Sequence, residues 1–231
     1  MPFVDRRSGA AFALSRRTFL LAAPFALAAC QAIPVGLPDQ PDLPGEDFDY
    51  DLAYAAVEED GHKIPAVNYK AFDRQFWRQV VDYKTRERPG TIVIDPYGHH
   101  LYWVLNGGKA LRYGIGVGKA GFAWSGEAKI RVKRPWPIWR PPREMIERRP
   151  ALEKYWEKGY PPGPKNPLGA RALDLWQGST DTLYRIHGTP DPNSIGKSVS
   201  SGCIRMWHQD IMDLYDRVPL YTKVVVLTKE A

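Results

Sequence analysis

Across residues 111–118 the chain alternates one residue at a time, with Leu111, Tyr113, Ile115 and Val117 opposite Arg112, Gly114, Gly116 and Gly118. Period two is the mark of a strand, whose successive side chains point to opposite faces. Glycine at alternate positions leaves one face bare, which suits a place where another segment comes close to the backbone. A Gly-x-Gly-x-Gly run also invites a phosphate-loop reading. No helix start follows it, so nucleotide binding is a poor expectation. Residues 91–95 and 99–105 have the same strand character, and Asn106-Gly107-Gly108 supplies the turn into the glycine-bearing strand.

Later runs extend the pattern. Residues 172–176 and 182–187 read as strands, 207–217 as a helix ending before Pro219, and 222–228 as a buried final strand. Before the first strand, Phe72, Phe76, Trp77 and Val80 recur at helical spacing and predict a short helix within residues 65–83. Residues 133–170 hold nine prolines together with Trp136, Trp139, Tyr155, Trp156 and Tyr160. A stretch so rich in proline predicts irregular chain, with a short helix over 143–158 broken at Pro150. It would serve as a lid or binding loop, or its aromatics would pack on the domain surface. With 231 residues, 44% of them hydrophobic, the chain can bury one full core. The fold expected is mainly β: a mixed-sheet sandwich with one or two short helices and this Pro/Trp-rich insertion.

The first thirty residues read as an address. Ser15-Arg16-Arg17-Thr18-Phe19-Leu20 precedes an apolar run that ends near Ala29. That run is too short for a membrane helix, which needs roughly 20 residues. A basic start, a short apolar stretch and small residues at the end predict an export signal of twin-arginine type over residues 1–29. Leu27-Ala28-Ala29-Cys30 resembles a lipobox, which would make Cys30 the lipidated first residue and anchor the protein to a membrane. The alternative is an ordinary cleavable signal with a coincidental cysteine. Residues 30–60, with Pro34, Pro38, Pro41 and Pro44 and an acidic bias, predict an extended tether. Residues 61–89 form an N-terminal extension and 90–228 the main domain. The formal charge of +6 owes +3 to residues 1–29, which leaves a weak case for a nucleic-acid partner.

Chemistry points to Cys203. With Cys30 lipidated it would be the sole thiol of an exported chain, and a lone thiol in an oxidising compartment is a liability. A buried cysteine acting as a small hydrophobe is the bland alternative. Ser200-Ser201-Gly202 before it suits a loop that exposes a side chain and aims backbone amides. A helix opening near Trp207 predicts a thiol acidified by the helix dipole, below the ordinary value of roughly 8.5. A thiol nucleophile needs a proton acceptor, and His187 ends an alternating strand just before Gly188. The loop over 189–199 can bring the two side chains together. His99 and His100 are adjacent and diverge on a strand, His62 falls in the spacer region, and His208 lies on the helix after Cys203. A metal site is therefore not expected, and no cofactor is implied.

Ile186-His187-Gly188-Thr189, Ile195-Gly196 and Ser200-Ser201-Gly202-Cys203-Ile204-Arg205 together resemble the signature of the YkuD-type L,D-transpeptidases. Asn166-Pro167-Leu168-Gly169-Ala170-Arg171 looks like a further segment of that family, and the likeness covers roughly residues 90–228. It implies a peptidoglycan enzyme acting on stem peptides. Cys203 would attack the carbonyl of the third stem residue and expel the terminal D-alanine. An amine of another stem would resolve the thioester into a 3-3 cross-link. By the same resemblance His187 would move the proton, the Gly188 carbonyl would hold its ring, and amides near Ser201, Gly202 and Cys203 would stabilise the oxyanion. Arg205 would meet a substrate carboxylate or form a surface ion pair. The motif commonly has a second histidine where this chain has Ser201. Water as acceptor would make the chain an L,D-carboxypeptidase, and a protein amine would make it an anchoring transpeptidase. A non-catalytic wall-binding lipoprotein is the reading from outside enzymology.

Overall fold

The computed structural model describes residues 48–118, 125–200 and 202–228. The signal, Cys30, the tether up to residue 47 and Ser201 lie outside the described residues. In chain order the elements are α1 (Tyr50–Ala53), β1 (Val57–Glu59), β2 (His62–Ile64), β3 (Gln79–Asp82), β4 (Ile92–Asp95), β5 (His100–Val104), β6 (Lys109–Gly114), β7 (Val117–Gly118), β8 (Gly126–Pro135), α2 (Arg143–Arg148), β9 (Arg171–Gln177), β10 (Thr180–Gly188), β11 (Ser198–Ser200), β12 (Ile204–Met206), α3 (His208–Arg217) and β13 (Lys223–Val226).

Among the described residues nine strands form one mixed sheet in the order β12-β10-β9-β8-β13-β4-β5-β6-β3. β12 runs parallel to β10 and β13 parallel to β4, while the other ladders are antiparallel. The sheet folds back on itself. Ile94, Leu101 and Leu111 from one half share a core with Leu173, Ile186 and Ile204 from the other. Gly116, just beyond β6, bridges to Arg205 on β12 through hydrogen bonds of 2.7 and 2.9 Å. The mainly β, mixed-sheet reading therefore stands.

The bare face of the glycine-bearing strand is occupied. A Cβ on Gly114 would sit 2.5 Å from the carbonyl oxygen of Phe76, and one on Gly116 would strike the carbonyl of Ser194. The predicted helix over 65–83 is replaced by two 3-10 turns, Tyr69–Ala71 and Arg74–Phe76, followed by β3. Tertiary contact outweighs local spacing here. Phe76 fills the gap beside Gly114 and Gly196, and Val80 pairs with Leu111 in the ladder. The end of the expected tether also folds. α1 and the β1–β2 hairpin pack on the domain, with Tyr54 buried and the His62 ring 4.2 Å from that of Trp136. Arg171 clasps this hairpin by donating to both oxygens of Glu59 at 2.7 and 2.6 Å, and the Trp136 indole N–H donates to the same carboxylate.

α3 buries Ile211 and Leu214 against the sheet. It ends at Arg217 because Pro219 cannot continue it. Within the insertion, α2 and a 3-10 turn over Pro150–Tyr155 fall on either side of the predicted break at Pro150. β8 went unpredicted, although Ala128, Ile130 and Val132 alternate with Lys129, Arg131 and Lys133 along it.

Candidate active site

His187 and Cys203 are brought together by the parallel ladder of β10 and β12. Ile186 pairs with Ile204, and His187 with Arg205. Cys203 precedes the ladder by one residue, level with Arg185, so it lies one strand across and two positions back from His187. Side chains two apart share a face, which makes the pair diagonal neighbours about 8 Å apart at the backbone. Gly202 adopts φ of 135°, a backbone state that a side chain would strain, and this turn delivers Cys203 into β12.

The His187 ring is buried, and its Nδ1 lies 2.6 Å from the Gly188 carbonyl oxygen. A carbonyl only accepts, so Nδ1 carries the proton and Nε2 of the neutral ring is left as the acceptor. Burial holds the His187 pKa down to about 4, against the pull of the Gly188 carbonyl and with Arg205, His208 and Arg185 adding to the fall. The ring is neutral at pH 7.

Behind it stands a support of fixed polar contacts. A Cβ on Gly169, which has φ of 64°, would lie 2.7 Å from the Gly188 backbone. Asn166, fully buried, donates through Nδ2 toward the carbonyls of Pro137 and Pro161 at 2.9 Å each and accepts from the Leu168 amide at 2.8 Å. His208 Nδ1 accepts from the Ala170 amide at 3.2 Å, so its Nε2–H donates to the Pro164 carbonyl at 3.2 Å. Burial lowers the His208 pKa to about 4. The sequence placed His208 only on a helix. Its bonds to the Ala170 amide and the Pro164 carbonyl had no local signal.

Cys203 is partly buried, with its thiol 4.0 Å from the Leu183 carbonyl oxygen. Burial pushes its pKa up, while a hydrogen bond from the Arg185 backbone amide and the charges of Arg185 and Arg205 pull down and Asp174 pushes up. The expectation of an acidified thiol is therefore overturned. β12 and Trp207 stand between Cys203 and the first turn of α3, and a helix dipole fades within that turn. The two groups therefore stand as a thiol and a neutral imidazole.

Arg205 is tied to Gly116 through its backbone, and Asp191 favours its charge while burial disfavours it. His99 Nε2 lies 3.1 Å from Ser198 Oγ, and His100 Nε2 lies 3.1 Å from the Gln75 carbonyl oxygen. Among the described residues no group of three or more His, Cys, Asp or Glu could hold a metal ion.

A thiol and a neutral, tautomer-fixed imidazole on one face of a β-sheet suit acyl transfer. Residues 89–226 match the family model of the L,D-transpeptidase (YkuD) catalytic domain, and the chain belongs to that family. A putative L,D-transpeptidase of Fuscovulum blasticum is 32% identical over 182 residues, covering 76% of this chain and 88% of its own length. The probable L,D-transpeptidase YbiS of Escherichia coli is 33% identical over 138 residues, or 58% of this chain, which spans only 43% of the length of that relative. A Brucella melitensis structure described as a probable carnitine operon oxidoreductase is 52% identical, covering 69% of this chain and 99% of that one at a TM-score of 0.48. At that score the structural likeness does not bear on the reaction.

Proposed function

We propose that this chain is a cell-wall L,D-transpeptidase in which Cys203 is the nucleophile and His187 the general base. The observation that carries the reading is the fixed tautomer of His187, with Nε2 accepting on the sheet face it shares with Cys203. The Cys203 sulfur attacks the carbonyl of the third residue of a tetrapeptide stem as its proton passes to His187 Nε2. Backbone amides at Gly202 and Cys203 stabilise the oxyanion. The imidazolium then returns the proton to the departing D-alanine amine, and a thioester remains. A stem amine resolves it into a 3-3 cross-link. Water or a protein amine in that place gives the carboxypeptidase or anchoring reaction.

Export by a twin-arginine signal and anchoring through a lipid on Cys30 belong to the same proposal and are supported by the sequence of the first thirty residues. The test incubates the chain with a purified disaccharide-tetrapeptide and follows products by mass spectrometry, with Cys203→Ala as control. D-alanine release with a cross-linked dimer is expected. Release without dimer moves the assignment to the carboxypeptidase. No release from a folded protein favours a wall-binding module.

A further inference from the structure

The strand that carries His187 is interrupted before it reaches the site. Between Asp181 and Arg185 the β9–β10 ladder slips, and Leu183 within the slip has φ of 62° and is 76% exposed. A bulky residue in the left-handed region is strained and persists only where its surroundings hold it there. Bulges of this kind re-aim backbone groups beside sites.

What holds it is a chain of charge. Arg185 donates to both carboxylate oxygens of Asp181 at 2.7 Å, and its Nε is 2.8 Å from Asp174 Oδ1. Asp174, buried on β9 directly opposite Arg185, also accepts from Arg134 at 2.8 and 3.0 Å. Asp181 accepts in addition from the Leu183 amide at 2.9 Å, and Thr182 Oγ1 bonds the Leu175 carbonyl and the Tyr184 amide. The guanidinium of Arg185 is thus engaged in holding the bulge. Its backbone amide and the Leu183 carbonyl are the groups that meet the Cys203 sulfur.

We propose that Asp181 and Arg185 are positioning residues for Cys203: their ion pair pins the 181–185 bulge so that the Arg185 amide stays on the sulfur. This rests on the reading of Cys203 as nucleophile. The groups that bear on the thiol are Arg185 and Tyr184 on β10, Arg205 on β12 and Asp174 on β9, with His187 the diagonal neighbour. Charge and position make opposite forecasts for one substitution. Asp181→Asn removes the anion that offsets the Arg185 charge, which through charge alone favours the thiolate and lowers the pH at which it reacts. If the carboxylate acts by holding the bulge, the amide leaves the sulfur and that pH rises instead.

The experiment measures the pH midpoint of iodoacetamide alkylation on the full chain carrying Cys30→Ser, so that Cys203 is the sole thiol. Asp181→Asn should raise the midpoint by about one pH unit, the size of a lost hydrogen bond to a charged group. It should lower kcat for D-alanine release more than it changes KM, and Asp181→Glu should recover part of both. Arg185→Lys, a milder change that keeps the charge but loses the fork, should move the midpoint the same way by less. A midpoint that falls in Asp181→Asn, or stays put in both variants while only thermal stability drops, overturns the proposal. Undiminished D-alanine release in Cys203→Ala would instead remove the nucleophile reading beneath it.

Discussion

Two buried polar sites flank the core, and they solve the cost of burial in opposite ways. At His187 and Cys203 burial suppresses charge: the imidazole is held neutral and the thiol protonated. Around α3 charge is kept where it is paired, at Asp213 with Arg78 and Arg217, while burial raises the pKa of Asp210. Arg78, delivered by the N-terminal extension, lies 2.5 Å from Asp213 and 3.7 Å from the fully buried Asp210. Tyr113 donates to Asp213 at 2.6 Å, Arg217 closes on the same carboxylate, and the Arg78 amide donates to the Tyr54 hydroxyl. The imidazole and the thiol are kept neutral. Groups that fix one segment on another keep their charges and lose their freedom.

The largest effect that would break this contrast concerns rate. His187→Ala should slow single-turnover acylation about 10²–10⁴-fold while leaving the fold intact, with Ser201→Ala costing less. Equal losses would show that the neutral imidazole is not the proton acceptor. Next comes stability. Arg78→Ala removes the cation that faces Asp213 and Asp210 and should cost about 3 kcal/mol in urea unfolding, the low end for a broken buried pair because Arg217 and Tyr113 still hold Asp213. A loss below about 1 kcal/mol would mean the pair is solvated.

The third effect is the response to pH. His187 and His208 have folded pKa values near 4, below the unfolded value of about 6.5. Their contribution is complete above pH 6.5 and fades as pH falls toward 4, by up to about 3 kcal/mol each. Asp210 runs the other way. Burial raises its pKa to about 7 against the pull of Arg78, so its share is present near pH 4 and is lost as pH rises to 7. Denaturation at pH 4.5 and 7.5 should show the opposing trends in His208→Asn and Asp210→Asn. The smallest effect expected is that of Asp210→Asn at pH 7.5, neutral or stabilising by about 1 kcal/mol. A large loss there would show that Asp210 is an ionised partner of Arg78.

The strands of the alternating region and α3 were legible because periodicity is local, and Cys203 and His187 stand out as candidates because a motif is local too. Other parts lacked such signals. Phe72 and Phe76 have helical spacing, yet Phe76 is set by Gly114 and Gly196 and Phe72 by Trp207, all far along the chain. Arg78 reads as a surface residue until Asp210 and Asp213 close on it. Asp181 and Arg185 sit four apart, a helical pair by spacing, and meet in a strand only because the bulge folds the chain between them. The thiol acidity was misjudged for a similar reason: sequence distance to a helix start does not measure the distance in space.

β3 has a consequence for where this chain can be trimmed. It lies before the matched domain, yet it is the outermost strand and pairs four residues with β6. A chain begun at residue 89 would bare that rim of β6 over Lys109 to Arg112. Unpaired rims of this kind template association between molecules. A chain shortened in this way would be expected to fail first by clumping.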